Sequence, residues 1–187
     1  MMEDSEWPDI KNSRGEEIDG WFDFFVLYDE MVDKFDNTVF AEIGTWKGRS
    51  AVYMAQKIKE SGKNITLYGI DIFGPFISGG KQEDSTCIYD EFLENIEPYK
   101  DIVIPIRGDS RVIHKCFEDE YFDFIFIDGG HDYESVIEDI KGWYPKLKKG
   151  GVFGGHDYNW SGVTKAVNEY FGDSVNIRGI TWLINYK

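Results

Sequence analysis

The chain has 187 residues, of which 42% are hydrophobic and 17% aromatic, so it is long enough for one globular domain with a sizeable core. Its 35 acidic residues outweigh 20 lysines and arginines, which gives a formal net charge of −15 with no dense basic run. This balance argues against nucleic acids and anionic membrane surfaces as partners, because both bind clustered cations.

Acidic residues crowd the start of the chain, at Glu3, Asp4, Glu6, Asp9, Glu16, Glu17, Asp19 and Asp23. We expect residues 1–17 to form a solvated, mobile segment ahead of a single domain at 18–187. The alternative is a flap that screens a site containing a cation. No signal-peptide pattern or membrane-spanning apolar run is present, so we expect a cytoplasmic protein.

Hydrophobic periodicity predicts alternating helices and strands along the chain. In the first half these are a helix at 18–35, a strand at 39–43, a helix at 49–61, a strand at 65–70, a loop at 73–81 and a helix at 83–96. Gly62 ends the second helix, and the glycines and Pro75 of the loop predict that it is mobile.

The second half continues the alternation, with a strand at 102–106, a short helix at 110–117, a strand at 122–127, a helix at 133–147, a strand at 152–153, a helix at 163–171 and strands at 175–177 and 180–186. Pro105 suggests that its strand lies at an edge of the sheet. Gly150 and Gly151 are expected to end the 133–147 helix. For the last two strands, a tight hairpin and a wider connection are both open.

Strands that alternate with helices predict parallel β-α-β units, and therefore a single three-layer α/β domain. In such a sheet, ligands bind outside the carboxyl ends of the strands. Asp128 and His131 follow the strongest apolar strand, 122–127, and are candidate site residues for that reason.

The loop after the first strand reads Glu42-Ile-Gly44-Thr45-Trp46-Lys-Gly48-Arg-Ser50. Gly44 allows a tight turn there, and Gly48 is expected to let a ligand approach the backbone. The four-residue spacing of the glycines differs from the dinucleotide fingerprint, and the Gly-Lys-Ser/Thr of a phosphate-binding P-loop is missing.

This loop resembles the first motif of the class I methyltransferases that use S-adenosylmethionine, which is an acid followed by Gly-x-x-x-Gly. The resemblance implies a Rossmann-like, mostly parallel seven-stranded sheet with an antiparallel C-terminal strand. It also implies that the cofactor is held by Glu42, Gly44, Thr45, Trp46, Gly48 and Ser50. A cationic cofactor suits an acidic loop.

Acids at the ends of the next strands extend the resemblance. Asp71 ends the second strand, where the family binds the ribose hydroxyls, and Asp109-Ser110 follow the third, where it contacts adenine. Asp128 ends the fourth strand and completes the implied cofactor site. Any one of these acids alone would be explained as a helix N-cap.

Asp128-Gly-Gly-His131 and His156-Asp157 follow two strands that are expected to be neighbours. They resemble the metal-dependent O-methyltransferases of the catechol, macrolide-sugar and cephalosporin-biosynthesis types. The resemblance implies that Asp128 and Asp157 bind Mg²⁺ and that His131 is the general base. His156 departs from the usual carboxylate; as a ligand it would favour Mn²⁺, Fe²⁺ or Zn²⁺, which leaves the number of ligands and the need for a metal open.

The sequence therefore predicts an S-adenosylmethionine-dependent O-methyltransferase acting on a small hydroxylated molecule such as a sugar, a catechol or a natural product. Trp46, Trp160 and the 73–81 loop are expected to wall the substrate pocket, whereas Trp21 is expected to be a packing residue. The alternatives are a nicotinamide-dependent oxidoreductase and a non-catalytic cofactor-binding domain. The oligomeric state is left open.

Overall fold

The computed structural model describes residues 8–74, 76–78, 81–83 and 85–185. Its strands are β1 Thr38–Ile43, β2 Ile65–Asp71, β3 Phe76–Ser78, β4 Lys81–Glu83, β5 Val103–Arg107, β6 Phe122–Ile127, β7 Leu147–Gly155, β8 Asn176–Arg178 and β9 Thr181–Asn185. Its helices are α1 Phe25–Lys34, α2 Arg49–Ser61, α3 Ser85–Ile96, α4 Ser110–Ile113, α5 Tyr133–Trp143 and α6 Ser161–Phe171. None of these helices is long and apolar enough to span a membrane.

Seven strands form one sheet in the order β5-β2-β1-β6-β7-β9-β8. All neighbours up to β7 pair in parallel, and β9 runs antiparallel to both β7 and β8. The predicted Rossmann-like α/β sheet with an antiparallel C-terminal strand is thus confirmed. The strand carrying Pro105 lies at the edge, as predicted, and Gly179 and Ile180 join β8 to β9 in a tight hairpin.

Helices cover both faces of the sheet, which explains why five of the six residues of β6 are apolar. Phe124 and Phe126 point into a core shared with α1, α2 and α3, whereas Ile125 and Ile127 point into a second core beneath α5 and α6. All four side chains are nearly inaccessible to solvent. Burial of each stabilises the fold by about 1.5–3 kcal/mol, so the strand that ends at the candidate site is rigidly held.

The first helix is shorter than predicted. It begins at Phe25, and residues 18–24 form an irregular segment whose Ile18 and Phe22 are nevertheless buried. Gly20 explains the difference, because it adopts a φ of 142° that no α-helix allows. The apolar spacing reflects an irregular segment packed on the body rather than a helical stripe.

The helix after Asp128 is also shorter than predicted. It ends at Trp143, a 3₁₀ turn at Tyr144–Lys146 contains Pro145, and β7 begins at Leu147. Proline lacks the N–H that an α-helix interior needs. Gly150 and Gly151 therefore lie inside a strand and do not end the helix.

The predicted 73–81 loop contains β3 and the first residue of β4, which pair as a short antiparallel hairpin that extends to Glu83, and α3 starts at Ser85. Pro75, Gly79 and Gly80 lie outside the described residues, so the loop's mobility stays a prediction. In the acidic segment 1–17 the structure describes residues 8–17. Ile10 is buried there, and Lys11 pairs with Glu17 in a β-bridge. The boundary at residue 17 also stays a prediction.

Candidate active site

A cavity of about 1100 Å³ opens at the carboxyl ends of the parallel strands. Residues that follow five different strands line it: Gly44 after β1, Asp71 at the end of β2, Asp109 after β5, Asp128 after β6 and His156 after β7. β1 and β6 are the central pair, where the chain order of the sheet reverses. The fold thus brings the predicted strand-end residues to the place where α/β sheets bind ligands.

The turn after β1 lies directly against the turn after β6. Gly44 has a φ of 91°, and a Cβ there would stand 2.1 Å from the carbonyl oxygen of Asp128. The Asp128 N–H in turn donates to the carbonyl oxygen of Ile43 at 2.7 Å. No residue other than glycine fits at position 44 without moving the Asp128 backbone.

Gly48 lies where the start of α2 packs against α3. It adopts a φ of 89° at the start of α2, and a Cβ there would stand 2.9 Å from the ring of Phe92. Gly48 does not line the cavity, whereas Thr45, Trp46 and Ser50 of the same loop do. Helix packing and the left-handed conformation both require this glycine, and its contact with the cofactor stays a prediction.

Asp71 fixes the shape of two loops. Its carboxylate accepts hydrogen bonds from the backbone N–H groups of Thr45 and Trp46 at 2.9 Å and from that of Phe73 at 2.6 Å. Trp46 and Phe73 have φ values of 43° and 46°, which are unfavourable for residues other than glycine. The carboxylate stabilises these conformations and faces the cavity, where we predict the ribose contact.

Glu42 is buried behind the loop and is 1% exposed. One carboxylate oxygen accepts hydrogen bonds from Tyr28 at 3.0 Å and from Ser50, and Oε2 has no partner among the described residues. Burial raises the pKa of Glu42 to about 8. A cation at this end of the cavity would favour the charged carboxylate.

Asp109 and Ser110, which follow β5, both line the cavity and make contacts with α4 and α5. Asp109 caps α4 and pairs with Arg111 at 2.6 Å, which lowers the pKa of the aspartate. Ser110 donates to Asp139 of α5 at 2.6 Å. Asp139 lines the cavity although it is 4% exposed, and burial raises its pKa to about 6.

Sequence reasoning missed Asp139. Its signal was an acid that continues the buried stripe of α5, three residues after Val136 and four before Trp143. Trp21 was also missed: it was expected to be a packing residue, but it is 63% exposed and lines the cavity together with Trp46, Phe73 and Trp160.

Asp128, His156 and Asp157 form a cluster whose potential metal-binding atoms all lie within 4.8 Å of one another. His156 Nδ1 lies 3.7 Å from Asp128 Oδ1 and 3.4 Å from Asp157 Oδ1. Burial raises the pKa of Asp128 to about 6 despite the nearby histidine. Asp157 adopts a φ of 59°, a strained conformation of the kind found at functional sites.

His131 lies beside this cluster. Its Nε2 is 2.9 Å from Asp157 Oδ2, and its ring stacks on Trp160 with the centroids 5.0 Å apart. The hydrogen bond to Asp157 raises the pKa of His131. Burial opposes the charge on Asp157, but hydrogen bonds to His131 and His156 outweigh it and hold the pKa of Asp157 well below its ordinary value.

A carboxylate from the irregular N-terminal segment completes the cluster. Asp23 Oδ1 lies 2.7 Å from His156 Nε2, on the side of the ring away from Asp128 and Asp157. Burial disfavours a charged His156, but hydrogen bonds to Asp157 and Asp23 outweigh it and raise the pKa of the histidine to about 10. Asp23 could not be linked to the site from the sequence, because 133 positions separate it from His156.

The family model described as "Methyltransferase domain" matches residues 41–158, which is more than half of the chain. An uncharacterized protein, R132, from Acanthamoeba polyphaga mimivirus is 31% identical over 163 residues, which cover 80% of this chain and 67% of the relative. The match to the family model confirms a methyltransferase over a nicotinamide-dependent oxidoreductase.

Solved structures share the fold at low identity. The O-methyltransferase NovP matches with a TM-score of 0.68 at 16% identity, covering 87% of this chain and 79% of NovP. A putative caffeoyl-CoA O-methyltransferase from Staphylococcus aureus matches with a TM-score of 0.64 at 16% identity, covering 89% of this chain and 85% of that structure. MycE of the mycinamycin pathway, in complex with Mg, SAH and mycinamycin VI, matches with a TM-score of 0.58 at 16% identity, covering 87% of this chain and 49% of MycE. The chain belongs to the methyltransferase domain family and is an S-adenosylmethionine-dependent methyltransferase.

Proposed function

We propose that the protein methylates a hydroxyl oxygen of a small molecule with the assistance of a divalent cation. One observation carries the proposal: Asp128, His156 and Asp157 cluster in the same cavity as the Gly44 loop, with His131 held against Asp157. The cofactor loop, a candidate cation site and a candidate base thus share one cavity.

The residues at the β1 end of the cavity fit S-adenosylmethionine, whose sulfonium supplies the methyl group. The cofactor carries positive charge, and Glu42 Oε2 is a buried acceptor without a partner among the described residues. Gly44 leaves the backbone open to the cavity, and Asp71 faces it from the end of β2. We assign the cofactor to Gly44, Thr45, Trp46, Ser50, Asp71, Asp109, Ser110 and Asp128, with Glu42 acting from behind the loop.

The donor set of the cluster fits a divalent cation. Two carboxylates and one imidazole are hard and intermediate ligands, and their donor atoms lie close enough to share one ion. Such an ion would lower the pKa of a substrate hydroxyl bound to it. We assign Asp128, His156 and Asp157 as its ligands.

His131 is the proposed general base. Asp157 holds its Nε2 and Trp160 holds the face of its ring, while Nδ1 has no hydrogen-bond partner among the described residues. Nδ1 is therefore the atom that accepts the proton of the acceptor hydroxyl, and Asp157 stabilises the imidazolium that results. The same two contacts fix the direction in which His131 meets the substrate.

The acceptor is proposed to be a sugar, a catechol-like ring or a related natural product. Trp21 and Trp160 are exposed at the cavity and offer flat apolar faces to such a molecule. The structural neighbours support this class, because they include a TDP-rhamnose 3′-O-methyltransferase and MycE bound to Mg and mycinamycin VI.

The proposal is tested by incubating the protein with methyl-¹³C-labelled S-adenosylmethionine, Mg²⁺ or Mn²⁺ and a panel of hydroxylated acceptors. NMR of the products identifies the methylated atom. We expect a labelled methoxy group on at least one sugar or phenol. Label that appears only on nitrogen, sulfur or carbon would contradict O-methylation while leaving the family assignment intact.

A further inference from the structure

Asp23 contacts the candidate cation site from a part of the chain that lies outside the matched family region. Its Oδ1 is 2.7 Å from Nε2 of His156, whose side chain is 3% exposed. Phe24, the next residue, packs on the imidazole ring with the centroids 4.9 Å apart. Two consecutive residues of the irregular segment thus hold the ring at one edge and one face.

This contact determines which nitrogen faces the cluster. With Nε2 directed at Asp23, Nδ1 lies 3.7 Å from Asp128 Oδ1 and 3.4 Å from Asp157 Oδ1. A cation that binds Nδ1 replaces the proton on that nitrogen, while Nε2–H continues to donate its hydrogen bond to Asp23. Histidines that bind metals usually donate their other ring N–H to a carboxylate in this way, which fixes the tautomer and strengthens the ligand.

The segment that carries Asp23 is anchored independently of any ligand. Arg49 donates to the carbonyl oxygens of Ile18 at 2.9 Å and Pro8 at 3.2 Å. Ile18 and Phe22 are buried in the core beneath α1 and α2. The carboxylate is therefore in place before a cation arrives, so orienting His156 requires no further ordering of the chain.

We propose that Asp23 is a positioning residue that presents His156 as a nitrogen ligand and thereby makes the site prefer Mn²⁺ over Mg²⁺. The inference rests on the proposed function, which places a cation between Asp128 and Asp157. An imidazole in the ligand set favours transition metals, whereas Mg²⁺ prefers oxygen ligands. The irregular segment thus contributes to cation choice, a role that its acidic sequence alone did not reveal.

The test measures cation binding in the absence of turnover. Free Mn²⁺ is followed by its EPR signal during titration of the full chain, and Mg²⁺ affinity is obtained by competition. We expect the wild type to bind Mn²⁺ at least tenfold more tightly than Mg²⁺, and Asp23→Asn to weaken Mn²⁺ binding by about 10–100-fold. Asp19→Asn is the matched control, because it removes a nearby acid that pairs with Lys47 instead.

A second variant separates positioning from the loss of charge. His156→Asn places an amide near the position of Nδ1 and removes the nitrogen that contacts Asp23. In that background Asp23→Asn should change the Mn²⁺ affinity less than twofold. An equal loss in both backgrounds, or no loss in Asp23→Asn alone, would overturn the inference.

The outcomes distinguish this inference from the proposed function. If the wild type binds S-adenosylmethionine but neither cation, the cation part of the proposed function fails and the inference fails with it. If Asp128→Asn abolishes Mn²⁺ binding while Asp23→Asn matches the wild type, the cation site stands and only the role of Asp23 is wrong. Circular dichroism of each variant establishes that a lost affinity is not lost folding.

Discussion

Asp157 Oδ2 lies 2.9 Å from His131 Nε2, at the point where the turns after β6 and β7 meet. Because the other oxygen of the same carboxylate faces His156 at 3.4 Å, one side chain connects the proposed base to the proposed cation ligand. A substitution at Asp157 would therefore disturb both, and the two roles must be tested at the histidines.

His131→Asn should lower kcat by about 10²–10⁴-fold, the usual contribution of a general base. Asparagine cannot accept the proton, yet it occupies a similar place beside Trp160. Binding of S-adenosylmethionine, followed by calorimetry, should be unchanged. Asp132→Asn is the control, since Asp132 caps α5 through Ser135 and faces solvent. A wild-type kcat in His131→Asn would exclude the residue as the base.

Gly44→Ala should abolish cofactor binding and destabilise the fold by more than about 2 kcal/mol, because a Cβ would stand 2.1 Å from the Asp128 carbonyl oxygen. Gly62→Ala is the matched control: Gly62 also has a positive φ, of 67°, but a Cβ there meets nothing within 4 Å. We expect Gly62→Ala to lower the free energy of unfolding, measured by chemical denaturation, by about 1 kcal/mol and to bind the cofactor normally. Equal effects of the two substitutions would show that the close approach to Asp128 is unimportant.

Asp71→Ala should raise the Kd for S-adenosylmethionine at least tenfold, because the N–H groups of Thr45, Trp46 and Phe73 lose their shared acceptor. Asp123→Ala provides the comparison. Asp123 also accepts a backbone hydrogen bond, from Val39 at 3.0 Å, but at the opposite end of the sheet. Its loss should reduce thermal stability without changing the Kd, and a changed Kd in both variants would point to a general loss of folding.

Asp139→Asn should make the protein more stable near pH 7.5, by about 1 kcal/mol. Burial raises the pKa of Asp139 from 3.8 to about 6, so the folded state favours the neutral carboxyl. That stabilisation is fully present below about pH 4 and is lost as the pH rises through 6. Asparagine stays neutral and still accepts the Ser110 hydrogen bond. The stability of Asp139→Asn should therefore fall less between pH 4 and 7.5 than that of the wild type. A variant less stable than the wild type at pH 7.5 would contradict this account of Asp139.

Much of the fold follows from local sequence. The mainly apolar run 122–127 predicted a strand, and the structure has a strand there. The acids and glycines that follow the strands predicted the edge of the sheet where the cavity lies. Gly62 was predicted to end α2, and the helix does end there, in a left-handed C-cap. These features depend on neighbours in sequence, which periodicity and turn chemistry describe well.

The remainder depends on contacts between distant parts of the chain. Residues 18–24 have helical spacing but an irregular backbone, because Gly20 and packing against the core outweigh periodicity. Asp23 reaches His156, and Ser110 reaches Asp139, only after the sheet has formed. The acidity of the N-terminal segment predicted a solvated, mobile segment, with a flap that screens a cation only as the alternative. The residue that contacts His156 could not be identified from its sequence.

The most direct test of cation-assisted O-methylation is the rate of methyl transfer to the identified acceptor before and after treatment with EDTA. We expect the chelator to reduce turnover at least 100-fold, because an ion at Asp128 and Asp157 would lower the pKa of the acceptor hydroxyl. Readdition of Mn²⁺ should restore the rate, and the Kd for S-adenosylmethionine should be unaffected by the treatment. Full turnover in EDTA, with no cation detected in the protein, would contradict the account.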